Sequence, residues 1–103
     1  MDENKIIPKS FSLFGEKYKV SHLKEINKGA YFGLAVYDEN KIKLAKTLNK
    51  KVISKDQVES TYCHEMVHII LQSLGHTELS DNEDFVDSFG KALHQILKSS
   101  IYV

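Results

Sequence analysis

Alternation of apolar and polar residues marks the first half of the chain, and a helical period marks the second. In FSLFGEKYKV, Phe11 to Val20, Phe11 and Leu13 alternate with polar residues, and Gly15-Glu16 suits a turn that needs a positive φ first. This stretch predicts a hairpin. A second extended region, GLAVYDENKIKLAK, runs from Gly33 to Lys46 with a polar turn at Asp38 to Lys41. Ile42 and Leu44 alternate with lysines there, a pattern for a strand with one wet face whose lysines discourage edge-to-edge pairing. A small, mostly antiparallel sheet is expected from these segments.

Beyond Ser54 the period changes. Ser54 with Gln57 three residues on fits a capping box, apolar positions run to Leu74, and Gly75 is a left-handed stop. A shorter helix is expected from near Ser80 towards the C-terminus, with Val86, Phe89, Leu93, Ile96 and Leu97 as its apolar stripe. Strands followed by helices predict an α+β fold. The 103 residues are read as a single domain spanning 1–103, since a chain of this length fills one core.

Composition narrows the function. Fourteen basic and 14 acidic residues cancel, so no field draws the chain to nucleic acid or to an anionic membrane. The apolar runs are far too short for a membrane span. MDENKIIPKS carries no apolar signal region, and the single Cys63 cannot build a disulfide framework, so a cytoplasmic protein is expected. The segment up to about Ser10 is expected to be loosely held.

HEMVH, residues 64 to 68, carries the chemistry. A helix advances about 100° per residue, so His64 and His68 lie roughly 40° apart on one face and can reach one ion. Glu65 lies about 100° round, beside the ion, where a general base would stand. The helix is apolar over most of its circumference, and burying three ionisable side chains in it costs several kcal/mol unless they have partners. Cys63 points the other way, into the apolar arc, and reads as a core residue.

A catalytic zinc takes three protein ligands and leaves a fourth position to water. The extended form HExxHxxGxxH is excluded, because Leu71 and Leu74 stand where it needs glycine and histidine. His76 and Glu78 follow the helix end in an expected exposed loop. Glu83 is the stronger third ligand: it shares a helical face with Asp87, Gly90 and His94, and Gly90 leaves that face bare for close approach. A competing role for Glu83 is a capping box with Ser80. Asp87 would orient His64 or His68 through the free ring nitrogen. For His94 three roles stay open: a hydrogen bond near the metal, an oxyanion contact, or a half-buried structural histidine.

TYCHEMVHIIL followed by NEDFVDSFGKAL resembles the gluzincin zinc metallopeptidases, and more closely the small ImmA/IrrE-like and short phage-encoded HExxH proteins. The likeness extends to the opening hairpin and to YDENKIKL. It implies a zincin-like peptidase fold with one zinc ion, Glu83 as third ligand six residues before Phe89, and Asp87 where the family often has asparagine. It also implies an edge strand over the zinc against which a protein or peptide substrate pairs, for which Ile42, Lys43 and Leu44, within Ile42 to Lys46, are the candidates. The family's transition-state histidine or tyrosine has only His94, Tyr31 and Tyr37 as candidates. Three functions follow for test: a zinc peptidase with Glu65 as base, a zinc-stabilised module that binds a partner without cutting it, and a metal-free fold. The tail SSIYV is left between docking into the cleft and padding the core through Ile101 and Tyr102.

Overall fold

Short turns set the first pairings. Ser10–Leu13 (β1) and Glu16–Leu23 (β2) are antiparallel, with Leu13 opposite Glu16. The loop between them is Phe14-Gly15, both at positive φ (50° and 82°), so the turn lies one residue earlier than expected. The computed structural model describes residues 6–102. The described part of the N-terminal segment is not loose: Ile6 and Ile7 pack against the core and Ser10 already belongs to β1. Residues 1–5, which carry the rest of that expectation, lie outside the described residues.

Gly33–Val36 (β3) leads through a 3-10 turn at Tyr37–Glu39 into Lys41–Ala45 (β4). Asn40 makes the return at φ 52°, a left-handed conformation that asparagine tolerates. The sheet order is β1-β2-β4-β3, so β4 lies inside the sheet, parallel to β2 and antiparallel to β3. This corrects the expected edge strand: Ile42, Lys43 and Leu44 are interior, and the edges are β1 and β3. Alternation reports which face a side chain takes, not whether a strand has a neighbour on both sides. Ile42 and Leu44 are fully buried on one face, and Lys41 and Lys43 lie half-buried on the other. Two of the three pairings are antiparallel, and the sheet is mixed.

A small hairpin, Thr47–Leu48 (β5) with Lys51–Val52 (β6), precedes the helices and has no counterpart in the sequence reading. Its turn, Asn49-Lys50, has positive φ at both residues (52° and 68°).

Lys55–Ser73 (α1) begins at Ser54, whose hydroxyl accepts from Gln57 N at 3.1 Å. The Gln57 side chain turns instead to Thr61, so only half of the capping box forms. Thr77–Ser80 (α2) is one turn, and Glu83–Ser99 (α3) is capped by Asn82, whose side chain accepts from Phe85 N at 3.1 Å. Ser80 is therefore not the cap of the last helix. Among the described residues no helix is long and apolar enough to cross a membrane.

α1 is sandwiched, which explains why its apolar positions run round the circumference. Tyr62, Cys63 and Ile69 meet Tyr18, Ile42 and Leu44 of the sheet, while Val67 and Leu71 meet Val86 of α3. Of the stripe expected on α3, Val86 is buried and Leu93 and Leu97 are partly so. Phe89 and Ile96 are 51% and 60% exposed, a correction to that stripe. The tail neither docks nor pads: Ile101 and Tyr102 are almost wholly exposed, and Val103 lies outside the described residues.

Gly90 sets how closely the helices approach. A Cβ there would lie 3.0 Å from His64 Cα and 3.2 Å from His64 N, both rigid backbone atoms. Gly90→Ala is therefore expected to push α3 off α1 and lower stability by about 1–3 kcal/mol, read as an earlier urea midpoint at unchanged slope.

Candidate metal centre

α1 presents His64 and His68 as neighbours, their ring centroids 5.1 Å apart and their planes 65° to each other. Glu83, the first residue of α3, meets both. Its Oε1 lies 3.3 Å from His64 Nε2, and its Oε2 lies 3.4 Å from His68 Nε2. Charge-assisted hydrogen bonds run at about 2.7–2.9 Å, so these contacts are too long for a direct pair. A tetrahedral ion bound at ~2.0–2.1 Å holds its donor atoms about 3.4 Å apart, and each imidazole nitrogen lies about that far from one Glu83 oxygen, Oε1 for His64 and Oε2 for His68. The ligand atoms of His64, His68 and Glu83 all lie within 4.8 Å of one another, so this group could hold a metal ion.

Glu65 stands outside that group, facing strand β3. Burial, with added repulsion from Glu83, pushes its carboxyl pKa up to about 6, against the opposing pull of His64. The backbone N–H of Ala35 donates to the carboxylate. Gly33, two residues earlier, lets the strand come this near: a Cβ there would fall 2.5 Å from Thr61 Cγ2 and 3.2 Å from the Lys43 carbonyl oxygen. Strand β3, α1 and α3 together wall a cleft of about 430 Å³, lined by Tyr31, Phe32, Gly33, Thr61, His64 and Lys91 among others.

The residues around the histidines differ from each other. Asp87 faces His64 Nδ1, the ring nitrogen turned away from Glu83, but at 3.7 Å, beyond hydrogen-bonding range. Its closer partner is Lys91 Nζ at 2.9 Å, which with a smaller pull from His64 holds the Asp87 carboxyl below its usual range. His68 Nδ1 instead meets the hydroxyl of Ser80 at 2.9 Å. Burial lowers the His68 pKa, against the pull of Glu83, and so favours the neutral imidazole that a metal requires. Ser80 was read in the sequence only as a helix cap. Nothing in the local pattern could reveal its role, because α2 had to fold back over α1 first.

His94 is not at this centre, contrary to two of its three expected roles. Its Nε2 lies 3.2 Å from Glu59 Oε1 in a second cluster, where Lys98 Nζ approaches Glu59 at 2.9 Å and Asp56 at 3.3 Å. Gly90 lies over His64 itself, and four residues further along α3 the partner on α1 is Glu59. Glu59 is 2% exposed and gave no signal in the sequence reading. Asp56, Glu59 and His94 also lie close enough to share a metal, but the Lys98 ammonium already fills the place of a cation there. Cys63 is fully buried in the core, as expected, and burial pushes its thiol up to about 11. His76 and Glu78 are exposed and line a separate shallow depression. Tyr31 lines the cleft beside His64, and Tyr37 lies past the other end of β3, facing Ser80 and Gln72.

Comparison with known protein families, curated proteins and solved structures returned no match.

The separation of the two clusters has a direct test. His94→Ala should lower stability by about 1–3 kcal/mol by leaving Glu59 short of a buried partner, while metal uptake stays at the wild-type level. Loss of metal from that variant would return His94 to the centre.

Proposed function

We propose that the chain is a zinc-dependent peptidase of zincin-like build, with His64, His68 and Glu83 holding the ion and Glu65 as general base. The observation that carries this reading is the Glu83 carboxylate, which reaches across from α3 to set one oxygen 3.3 Å from His64 Nε2 and the other 3.4 Å from His68 Nε2. Two imidazole nitrogens and one carboxylate oxygen form a donor set suited to zinc. When bound, zinc would supply Lewis acidity, lowering the pKa of water from about 16 towards 7 and polarising a peptide carbonyl.

The chain's own groups do the rest. Glu65, with its pKa raised to about 6, takes the proton of the attacking water and returns it to the leaving amine. The Ala35 N–H keeps that carboxylate turned towards the cleft. Strand β3 has β4 on one side only, so its free edge can pair with an extended substrate backbone. The cleft beside Tyr31 and Phe32 then takes a neighbouring side chain. Protein or peptide is the substrate class that this arrangement fits. A cytoplasmic setting belongs to the same reading, supported by the buried, unpaired Cys63.

The exposed Phe89 and Ile96 on α3 favour a second reading, a zinc-stabilised module that binds a partner through that helix without cutting it. Two measurements separate the readings. Protein purified without chelators or a histidine tag should carry zinc, and Glu83→Ala should lose it. Glu65→Gln should keep zinc and lower hydrolysis of a peptide pool by about 10²–10⁴-fold. Full hydrolysis by Glu65→Gln would remove Glu65 from its assigned role, and zinc without any hydrolysis in the wild type would select the second reading. Stripping the metal should lower the melting temperature under either.

A further inference from the structure

Ser80 is 2% exposed yet carries a hydroxyl, and a polar group buried that deeply needs partners. It has them from two separate parts of the chain, α1 and the turn after β3. His68 Nδ1 on α1 lies 2.9 Å from Ser80 Oγ. The Tyr37 phenol, just past the end of β3, interacts with Ser80 and with Gln72. Gln72 lies one turn beyond His68 on the same helix, so the contacts run His68, Ser80, Tyr37, Gln72 and return to α1 where they began.

Donor and acceptor capacity gives this loop a direction. An imidazole that holds a cation through Nε2 keeps its proton on Nδ1, so His68 donates and Ser80 Oγ accepts. The Ser80 proton then points away from His68 and is donated to the Tyr37 oxygen. The Gln72 side-chain amide donates to the same Tyr37 oxygen, the sense in which it lowers the Tyr37 pKa. In the other tautomer, with Nδ1 bare, Ser80 donates to His68 and the order reverses. Because the Tyr37 oxygen accepts from Ser80, the arrangement favours the tautomer whose Nε2 lone pair faces Glu83. On the other side of the centre, the group facing His64 Nδ1 is the Asp87 carboxylate at 3.7 Å, too distant to do the same work.

We propose that Ser80 is a positioning residue for the metal, acting through His68, and that Tyr37, itself held by Gln72, keeps the Ser80 hydroxyl in the accepting orientation. The inference rests on the metal-site reading above, and its test is binding rather than hydrolysis. Ser80→Ala, Ser80→Thr, Tyr37→Phe and the Ser80→Ala/Tyr37→Phe double variant would be stripped of metal, titrated with zinc against a chelating dye, and melted in the metal-free state.

Ser80→Ala is expected to weaken zinc binding by about 10–100-fold, with most of the loss recovered in Ser80→Thr. Tyr37→Phe should lose less. The double variant should bind no more weakly than Ser80→Ala alone, because both changes act through one contact. A cobalt-loaded Ser80→Ala protein should show a shifted visible spectrum, which a change in fold stability alone would not produce. Wild-type affinity in Ser80→Ala, or losses that add in the double variant, would overturn the proposal. A wild-type chain that takes up no zinc would overturn the metal site itself, a different result from uptake that ignores Ser80. If Ser80→Ala does not fold, Tyr37→Phe at the surface decides alone: weakened zinc binding supports the loop and unchanged binding overturns it.

Discussion

The close approach of α1 and α3 at Gly90 is the constraint on which the site depends. With no Cβ in the way, the α3 backbone settles over that of His64. The first turn of α3 then carries Glu83 across to both imidazoles. Helices spaced by ordinary side chains pack about 8–10 Å apart, and at the wider end a glutamate would reach two histidines less easily than one. The contact is held further along by the buried Glu59, which takes His94 and Lys98 from the far half of α3. Glycine at one level and an ion cluster at another fix the register of the two helices.

A second close approach works on the opposite side of α1. Gly33 lets strand β3 lie against Thr61 and Glu65, and the backbone N–H of Ala35 reaches the Glu65 carboxylate as a result. α1 thus has a backbone neighbour on each flank of HEMVH, a helix on one side and a strand edge on the other. That enclosure is why Glu65 is desolvated and its pKa raised, while the mouth of the cleft stays open between Tyr31 and Lys91. The same packing brings α2 over His68 and buries Ser80 against it.

Much of this was legible in the chain. HEMVH on a helix, Glu83 and Gly90 on one face of the next, and the core place of Cys63 all follow from a period of 3.6 residues and the volume of side chains. The hairpin was found one residue out of register, because Phe14 accepts a positive φ that the pattern assigned to Gly15-Glu16. Ser80 and Glu83 fitted a capping box, yet Asn82 is the cap, since the chain makes one extra turn of helix before α3 begins. Phe89 and Ile96 fitted the apolar stripe of α3 and stand in solvent, because the helix has a neighbour on one side only.

What the sequence by itself determined is therefore local: which residues share a helical face, where the first helix starts and stops, and that two imidazoles and a neighbouring carboxylate lie on one rod. These depend on separations of a few residues, which backbone geometry fixes. The tertiary structure alone decided that β3 rather than Ile42 to Leu44 forms an edge of the sheet. It also decided that His94 belongs to Glu59 and that Ser80 belongs to His68. Each of those depends on which segments end up side by side, and strand order and helix register are settled by burial summed over the whole chain. No periodic pattern within one segment carries that sum.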